Sequence, residues 1–208
     1  MRLVFALLGA LMLAQCASAP EEDDRFRVGR SERAYVIIGV AESASNTSAS
    51  YDMLWRRVGA DGNFEREIDG GRTAFTAETN ERGTIRIRGI PGEFVRREID
   101  PGVYALDSVF AVIRADRVNY VANGVVRGPD RPAFDVAPGE AVYLGIWEMN
   151  IEDVAAVARP WRLSASDLRA VMDRQDDVAG EVRVRETYTR AVPCTPQRLN
   201  NRSQRQVC

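Results

Sequence analysis

Histidine and lysine, the side chains most used for acid–base and covalent chemistry, are both missing here: all 28 basic residues among the 208 are arginine. This composition excludes Ser-His-Asp and Cys-His sites, lysine Schiff bases and the lysine of phosphate-binding loops. Three scattered cysteines do not make a zinc site without histidine. Hydrolysis by carboxylates alone remains open. However, the acidic run 21–24 falls in a hydrophilic N-terminal segment and the run 176–177 falls near a predicted helix end, and neither position is typical of a catalytic site. We therefore expect no enzymatic activity, no metal site and no cofactor.

Two of the three cysteines lie close together in a polar tail, residues 191–208. Cys194 and Cys208 are fourteen positions apart (208 − 194). In an oxidising compartment each has the other as its partner within the chain. A bridge would close a short loop and contribute about 3 kcal/mol of stability. We expect this disulfide, and the alternative is two free thiols.

The first twenty residues have the layout of a secretory signal. Met1-Arg2 gives a positive start, residues 3–13 are apolar apart from Gly9, and residues 14–19 are mostly small. This order of charge, apolar run and cleavage region is typical of export signals. The apolar run is too short for a spanning helix, which needs about 20 residues.

Leu13-Ala14-Gln15-Cys16 resembles the lipobox of bacterial lipoproteins. The resemblance implies cleavage of residues 1–15, a diacylglyceryl group on the Cys16 thiol, and the membrane as a partner through that lipid. Gln15 departs from the Gly, Ala or Ser usual before the cysteine. The alternative is ordinary cleavage after Ala19, which Pro20 would obstruct.

Residues 16–33 are mostly charged and small, so the sequence predicts a flexible tether between lipid and domain. The formal net charge is −2, with acidic and basic residues interspersed. Because no stripe of arginines and aromatic residues is present, we do not expect nucleic acid as a partner.

From residue 34 onward the pattern is that of short strands. Residues 35–40 form a β-branched run, 84–88 alternate strictly between apolar residues and arginine or threonine, and 59–63 and 100–102 are turn sequences. Such strands with Gly and Pro turns predict a mainly β fold, an antiparallel β-sandwich. The predicted strands are 35–40, 51–58, 64–68, 84–88, 94–99, 103–106, 109–113, 118–126, 133–136 and 141–147.

The periodicity then changes to that of a helix. Leu168, Val171 and Met172 share one helical face, Ser164 or Ser166 can cap the start, and Gly180 suits the end. We predict one C-terminal helix at about 166–179 and a final strand within 181–189. Together these elements make one domain, residues 34–190.

Two Pro-Gly segments carry a second resemblance. Residues 100–106 look like the Pro-Gly-x-Tyr turn of prealbumin-like sandwiches. Residues 136–145 are similar to the Pro-Gly-Glu-x-x-Tyr-x-Gly segment of a family of Gram-negative envelope lipoproteins of unknown function. The resemblance implies a prealbumin-like or Ig-like sandwich, anchored at the outer membrane and facing the periplasm, with no established catalytic residues. From the residues alone, Tyr104 and Tyr143 are expected to be structural.

Three tryptophans are the candidate ligand contacts: Trp55, Trp147 and Trp161. They could line a groove, although packing in the core is the favoured interpretation. We expect a lipid-anchored, non-enzymatic structural or interaction module of the cell envelope, with an unidentified envelope protein as partner. The alternatives are a domain that binds a small molecule or glycan, and an accessory subunit of a surface complex.

Overall fold

The computed structural model describes residues 25–43, 49–66, 72–80, 83–115, 118–126 and 128–208. The predicted signal, Cys16 and the first part of the predicted tether lie outside these residues. Within them the chain forms strands and one helix, a mainly β fold as predicted. The elements are β1 (Phe26–Arg27), β2 (Ala34–Glu42), β3 (Ala49–Val58), β4 (Ala74–Glu78), β5 (Glu93–Ile99), β6 (Gly102–Ala115), β7 (Val118–Val125), β8 (Asp130–Val136), β9 (Ala141–Glu152), β10 (Ala155–Arg162), α1 (Ala165–Met172), β11 (Val178–Ala179), β12 (Arg183–Val184), β13 (Tyr188–Ala191), β14 (Gln197–Arg198) and β15 (Gln206–Val207).

Two larger sheets pack against each other. The five-stranded sheet has the order β10-β9-β2-β5, with β12 also paired to β9. The six-stranded sheet has the order β13-β8-β6-β3-β4, with β7 also paired to β6. Pairing in both is antiparallel except that β2 and β12 run parallel to β9. Strand β2 is buried along almost its whole length, which explains its continuous apolar sequence.

The core between the sheets is built on aromatic rings. Trp55 of β3 meets Trp147 of β9 edge-on, with ring centroids 5.4 Å apart, and Phe134 of β8 at the same separation. Tyr104 of β6 stacks on Phe134, also with centroids 5.4 Å apart. All four side chains are fully buried. This cluster joins both sheets into one core.

The outer face of the five-stranded sheet is covered by α1 and by the β1–β11 pair. Leu168 and Val171 of the helix share an apolar cluster with Tyr143 of β9 and Phe26 of β1. Because Phe26 is buried and its strand pairs with β11, residues 25–33 belong to the domain. The predicted boundary between tether and domain at residues 33 and 34 is therefore too late.

The helix differs from its prediction at one end. Ser164 caps its start and accepts backbone N–H groups of the first turn, as predicted. The helix ends at Met172, seven residues before the predicted end (179 − 172). Beyond the helix, Asp177 pairs with Arg96 and the next residues form β11, so these positions make contacts that a longer helix would not allow.

The predicted strands are mostly present, with five differences. The predicted final strand is two short strands, because β12 joins one sheet and β13 the other. Strands 103–106 and 109–113 are one strand, β6, while β4, β10 and the two-residue strands β1, β11, β14 and β15 were not predicted. In 84–88 Ile85 and Ile87 are buried as the alternation predicts, but pairing is limited to an Ile85–Phe94 bridge. Likewise, Phe64 pairs only through a bridge to Val58.

Among the described residues, no helix has the length and apolarity needed to cross a membrane.

Candidate functional site

The tail, residues 191–208, packs on the outer face of the six-stranded sheet. Val192 and Val207 are both fully buried there. Cys194 and Cys208 form a disulfide with their Cα atoms 4.9 Å apart, which confirms that prediction. The backbone N–H of Cys208 donates to Asp107 Oδ1 on β6 at 3.0 Å. The disulfide therefore closes the polar tail on itself, and a buried carboxylate of β6 fixes its end to the sheet.

A β-bulge places Asp107 under the tail. Leu54 of β3 lies opposite Ser108, but Trp55 lies opposite Leu106, so Asp107 is the extra residue of β6. Its carboxylate is fully buried and pairs with Arg56 of β3 at 2.7 Å. Buried ion pairs of this kind are costly to break, because the remaining charge has no compensation.

Arg131 of β8 is a second fully buried cation in the same place. It donates to backbone carbonyls of β6, of the segment after β7 and of the tail, and its Nη2 lies 3.1 Å from Cys208 Sγ. The four carbonyls belong to Leu106 (3.1 Å), Asp107 (3.0 Å), Val126 (2.7 Å) and Val192 (3.2 Å). Removal from water lowers the pKa of Arg131 from its ordinary value, an effect that Asp107 partly opposes.

Two further contacts hold the tail. Arg205 pairs with Asp52 of β3 and lies over the Phe110 ring, 5.2 Å from its centroid. The side chain of Asn123 on β7 donates to the Gln204 carbonyl at 3.0 Å and accepts the Gln206 N–H at 2.8 Å. Sequence reasoning did not find this network, since Asp107 and Arg131 are single charged residues inside strands.

The three candidate tryptophans are in different environments. Trp55 and Trp147 are part of the core described above. Trp161 is 51% exposed. In β10, Pro160 lies opposite Trp147 and Arg162 opposite Ile146, so Trp161 is the extra residue of a bulge. The bulge turns this ring away from the core.

Trp161 borders a shallow pocket of about 250 Å³, which we call the Trp161 shelf. The pocket is also lined by Ile146, Pro160, Arg162, Leu163, Glu186 and Thr187. Gly145 has φ +77°, and a Cβ added to it would lie 2.6 Å from the Arg162 carbonyl oxygen. Glycine at position 145 is thus needed for β9 to lie this close to the backbone of Arg162, which lines the shelf.

In the part of the chain that the structure describes, four carboxylates are buried, and each has an arginine partner. Arg56 pairs with Asp107, Arg205 with Asp52, Arg86 with Glu93, and Arg162 with Asp167. These carboxylates therefore form ion pairs with arginine and do not face one another across a cleft. Among the described residues, no group of three or more acidic or cysteine side chains could hold a metal ion.

Glu93 of β5 shows how such a carboxylate is held. It accepts the Asn80 N–H at 2.9 Å, the Thr84 hydroxyl at 2.7 Å and Arg86 Nε at 2.8 Å. Burial alone would raise the pKa of Glu93, but these hydrogen bonds and the Arg86 charge outweigh it and lower the pKa.

The two motif tyrosines are buried in structural positions. Tyr104 Oη lies 2.8 Å from the Asp100 carbonyl and 2.9 Å from the Arg72 carbonyl, so its hydroxyl fastens the turn before β6. Tyr143 packs beneath α1. Loss of solvent raises the pKa of both hydroxyl groups above the ordinary value for tyrosine.

A cleft of about 470 Å³ lies between β7 and β10. Its walls are mainly small apolar residues, including Val125 and Ala156. The Asn123 side chain in this cleft is already bonded to the tail. The cleft therefore offers space but few free polar groups to orient a ligand.

No protein-family model, curated protein or solved structure matches this chain. Its function is therefore inferred from its own residues. Those residues provide a fastened tail, paired buried carboxylates and one exposed tryptophan beside a pocket.

Proposed function

We propose that this chain is a lipid-anchored protein of the Gram-negative cell envelope, held at the outer membrane in the periplasm, and that it binds partners without catalysing a reaction. The observation that carries the proposal is Cys16 in a lipobox-like sequence, nine residues before Arg25 at the start of the described domain (25 − 16). The Pro-Gly-Glu-x-x-Tyr-x-Gly resemblance of residues 136–145 supports the same class of protein.

The position of Arg25, where the described domain begins, fits a lipid anchor at Cys16. Nine residues reach at most about 30 Å when fully extended, so a lipid on Cys16 would keep Arg25 near the bilayer. Phe26 packs on Tyr35 near the start of β2, and β2 and β9 run parallel to each other away from that end. The β9–β10 turn, with Val154 88% exposed, then lies at the opposite end of the sandwich. That end is the one available to a partner in the periplasm.

Two other features support the compartment and the lack of catalysis. A disulfide fits an oxidising location such as the periplasm. The buried carboxylates are bound to arginines, and histidine and lysine are missing from the sequence. A binding or structural role requires neither a free catalytic carboxylate nor the acid–base and covalent chemistry of histidine and lysine.

Metabolic labelling with an alkyne analogue of palmitate tests the proposal. Wild type, Cys16→Ser and the matched control Cys194→Ser are expressed in a Gram-negative host and separated into membrane and soluble fractions. We expect label and membrane association in wild type and Cys194→Ser, and neither in Cys16→Ser. Equal labelling of Cys16→Ser would contradict lipidation at this cysteine.

The Trp161 shelf favours glycan binding as a second candidate function. An exposed indole gives a flat apolar surface for a sugar ring, and Glu186 and Thr187 at the same pocket offer hydrogen-bonding groups for hydroxyls. Titration with cell-wall oligosaccharides, followed by tryptophan fluorescence, tests this idea. Binding should change the emission of wild type and of the control Tyr188→Phe but not of Trp161→Phe; an unchanged wild-type spectrum would reject it.

A further inference from the structure

The two sulfur atoms of the disulfide have different surroundings. Cys194 and Cys208 are both partly exposed, but Cys194 lies between the exposed Pro193 and Thr195, whereas Cys208 follows the buried Val207. Cys208 is on the protein side, with its Sγ 3.1 Å from Arg131 Nη2 and its N–H bound to Asp107. Cys194 therefore has the more open surroundings, while Cys208 is held against a buried cation.

The charged side chains around Cys208 carry an excess of positive charge. Among the described residues, Arg56 from β3 and Arg131 from β8 face one carboxylate, Asp107 of β6, which pairs with Arg56. Arg190 of β13 lies opposite Arg131 in the strand register and adds positive charge. The tail's own Arg205 is neutralised by Asp52.

Arg131 itself donates to neutral carbonyl oxygens and to the sulfur. A thiolate on Cys208 would place a negative charge in direct contact with this buried arginine, in addition to the nearby charge of Asp107. At low dielectric an opposite charge at this distance strongly favours the ionised thiol.

We propose that the Cys194–Cys208 disulfide is a thiol-exchangeable redox site in which Cys208 is the leaving thiolate. An external thiolate attacks Cys194 Sγ, a new sulfur–sulfur bond forms there, and the electron pair of the broken bond goes to Cys208 Sγ beside Arg131. A second external thiolate then attacks the mixed disulfide and releases Cys194. Overall, two external thiols are oxidised to one disulfide, the protein gains two electrons, and the two protons go to Cys194 and to solvent.

This assignment distinguishes the bridge from an inert structural disulfide. A leaving thiol of lower pKa departs faster, and a stabilised reduced form makes the bond easier to reduce. Small thiols or a dithiol reductant in the same compartment are the expected co-reactants. Reduction of this bond would open the covalent loop of the tail, while the Asp107 carboxylate would still bind the backbone N–H of Cys208.

Trapping the mixed disulfide tests the direction of attack. The full-length chain carrying Cys16→Ser is mixed with limiting glutathione, quenched with N-ethylmaleimide and analysed by peptide mass spectrometry. We expect glutathione on Cys194 and maleimide on Cys208. Glutathione found mainly on Cys208 would overturn the proposal.

Thiol titration tests the role of Arg131. In the Cys16→Ser background, Cys194→Ser leaves Cys208 and Cys208→Ser leaves Cys194, and the pH dependence of alkylation gives each pKa. We expect Cys208 to titrate at least one pH unit below Cys194, a tenfold difference in acidity; Arg131→Lys should retain it and Arg131→Met should remove it. The two single-cysteine chains both keep Arg131, so the comparison of their pKa values remains valid even if an Arg131 variant does not fold. A Cys208 pKa equal to or above that of Cys194 would refute the assignment.

Discussion

The carboxylate of Asp107 and the backbone N–H of Cys208 are 3.0 Å apart, although 101 positions separate them in the chain. Asp107 also binds Arg56, and the neighbouring Arg131 reaches the Cys208 sulfur. Buried charges on three strands of one sheet therefore fasten the tail. The tail in turn shields these charges from water.

Neutralising Asp107 should destabilise the protein strongly. Asp107→Asn leaves the buried Arg56 without its counter-charge, a change that typically costs about 3–5 kcal/mol. Urea unfolding followed by tryptophan fluorescence measures the loss. Asp130→Asn, at an exposed position on β8, should change the free energy of unfolding by less than about 0.5 kcal/mol. Equal values for the two variants would disprove the role of Asp107.

Removing the disulfide should loosen the tail but leave the sandwich folded. For a loop of fourteen residues, Cys194→Ser is expected to lower the free energy of unfolding by about 3 kcal/mol. Brief trypsin treatment should cut this variant first after Arg198 or Arg202, which are exposed in the tail. Digestion at the wild-type rate would show that the noncovalent contacts alone fix the tail.

Glu93 should contribute to a loss of stability in acid. Its pKa is lowered in the folded state, so its stabilising effect is present above the unfolded value of about 4.3 and is lost as pH falls through the folded value. Glu93→Gln should therefore be destabilising at pH 7 and less so at pH 3. Urea unfolding at both pH values measures the difference, and Thr84→Ala should show a smaller effect of the same sign. A penalty for Glu93→Gln that does not change with pH would contradict this account.

Gly124 should resist even the smallest substitution. A Cβ at this position would lie 1.7 Å from the Ala156 carbonyl oxygen, so Gly124→Ala must separate β7 from β10. We expect a lower thermal midpoint. Gly59→Ala is the control, because its new Cβ would first meet the Asp61 side chain, at 3.0 Å. Similar midpoints for the two variants would show that β7 can move without cost.

The strands that were predicted correctly have local signals. Alternation and Gly or Pro turns depend on neighbouring residues, and they placed β2, β3, β5 and β9. Strand β10 was missed because its turn uses Asp153 and Val154 with φ of 48° and 62°. A hairpin turn with positive φ at both positions is usually announced by Asn-Gly or Asp-Gly.

The tail network has no local signal of this kind. Asp107 interrupts an apolar run, which divided one strand into two predicted ones, and its partner Arg56 lies 51 positions away. Trp161 likewise could not be separated from Trp55 and Trp147 by sequence, because a one-residue bulge decides its exposure. The predicted disulfide is confirmed, because two cysteines fourteen positions apart in one polar tail are a signal that the sequence carries locally.

The mass of the mature N-terminal peptide tests the central claim, lipid anchoring at Cys16, most directly. Wild-type protein is extracted from membranes with detergent, digested with trypsin and analysed by mass spectrometry. We predict a peptide that begins at Cys16 and carries a diacylglyceryl group. An unmodified peptide that begins at Pro20 would contradict lipid anchoring and favour a soluble exported protein.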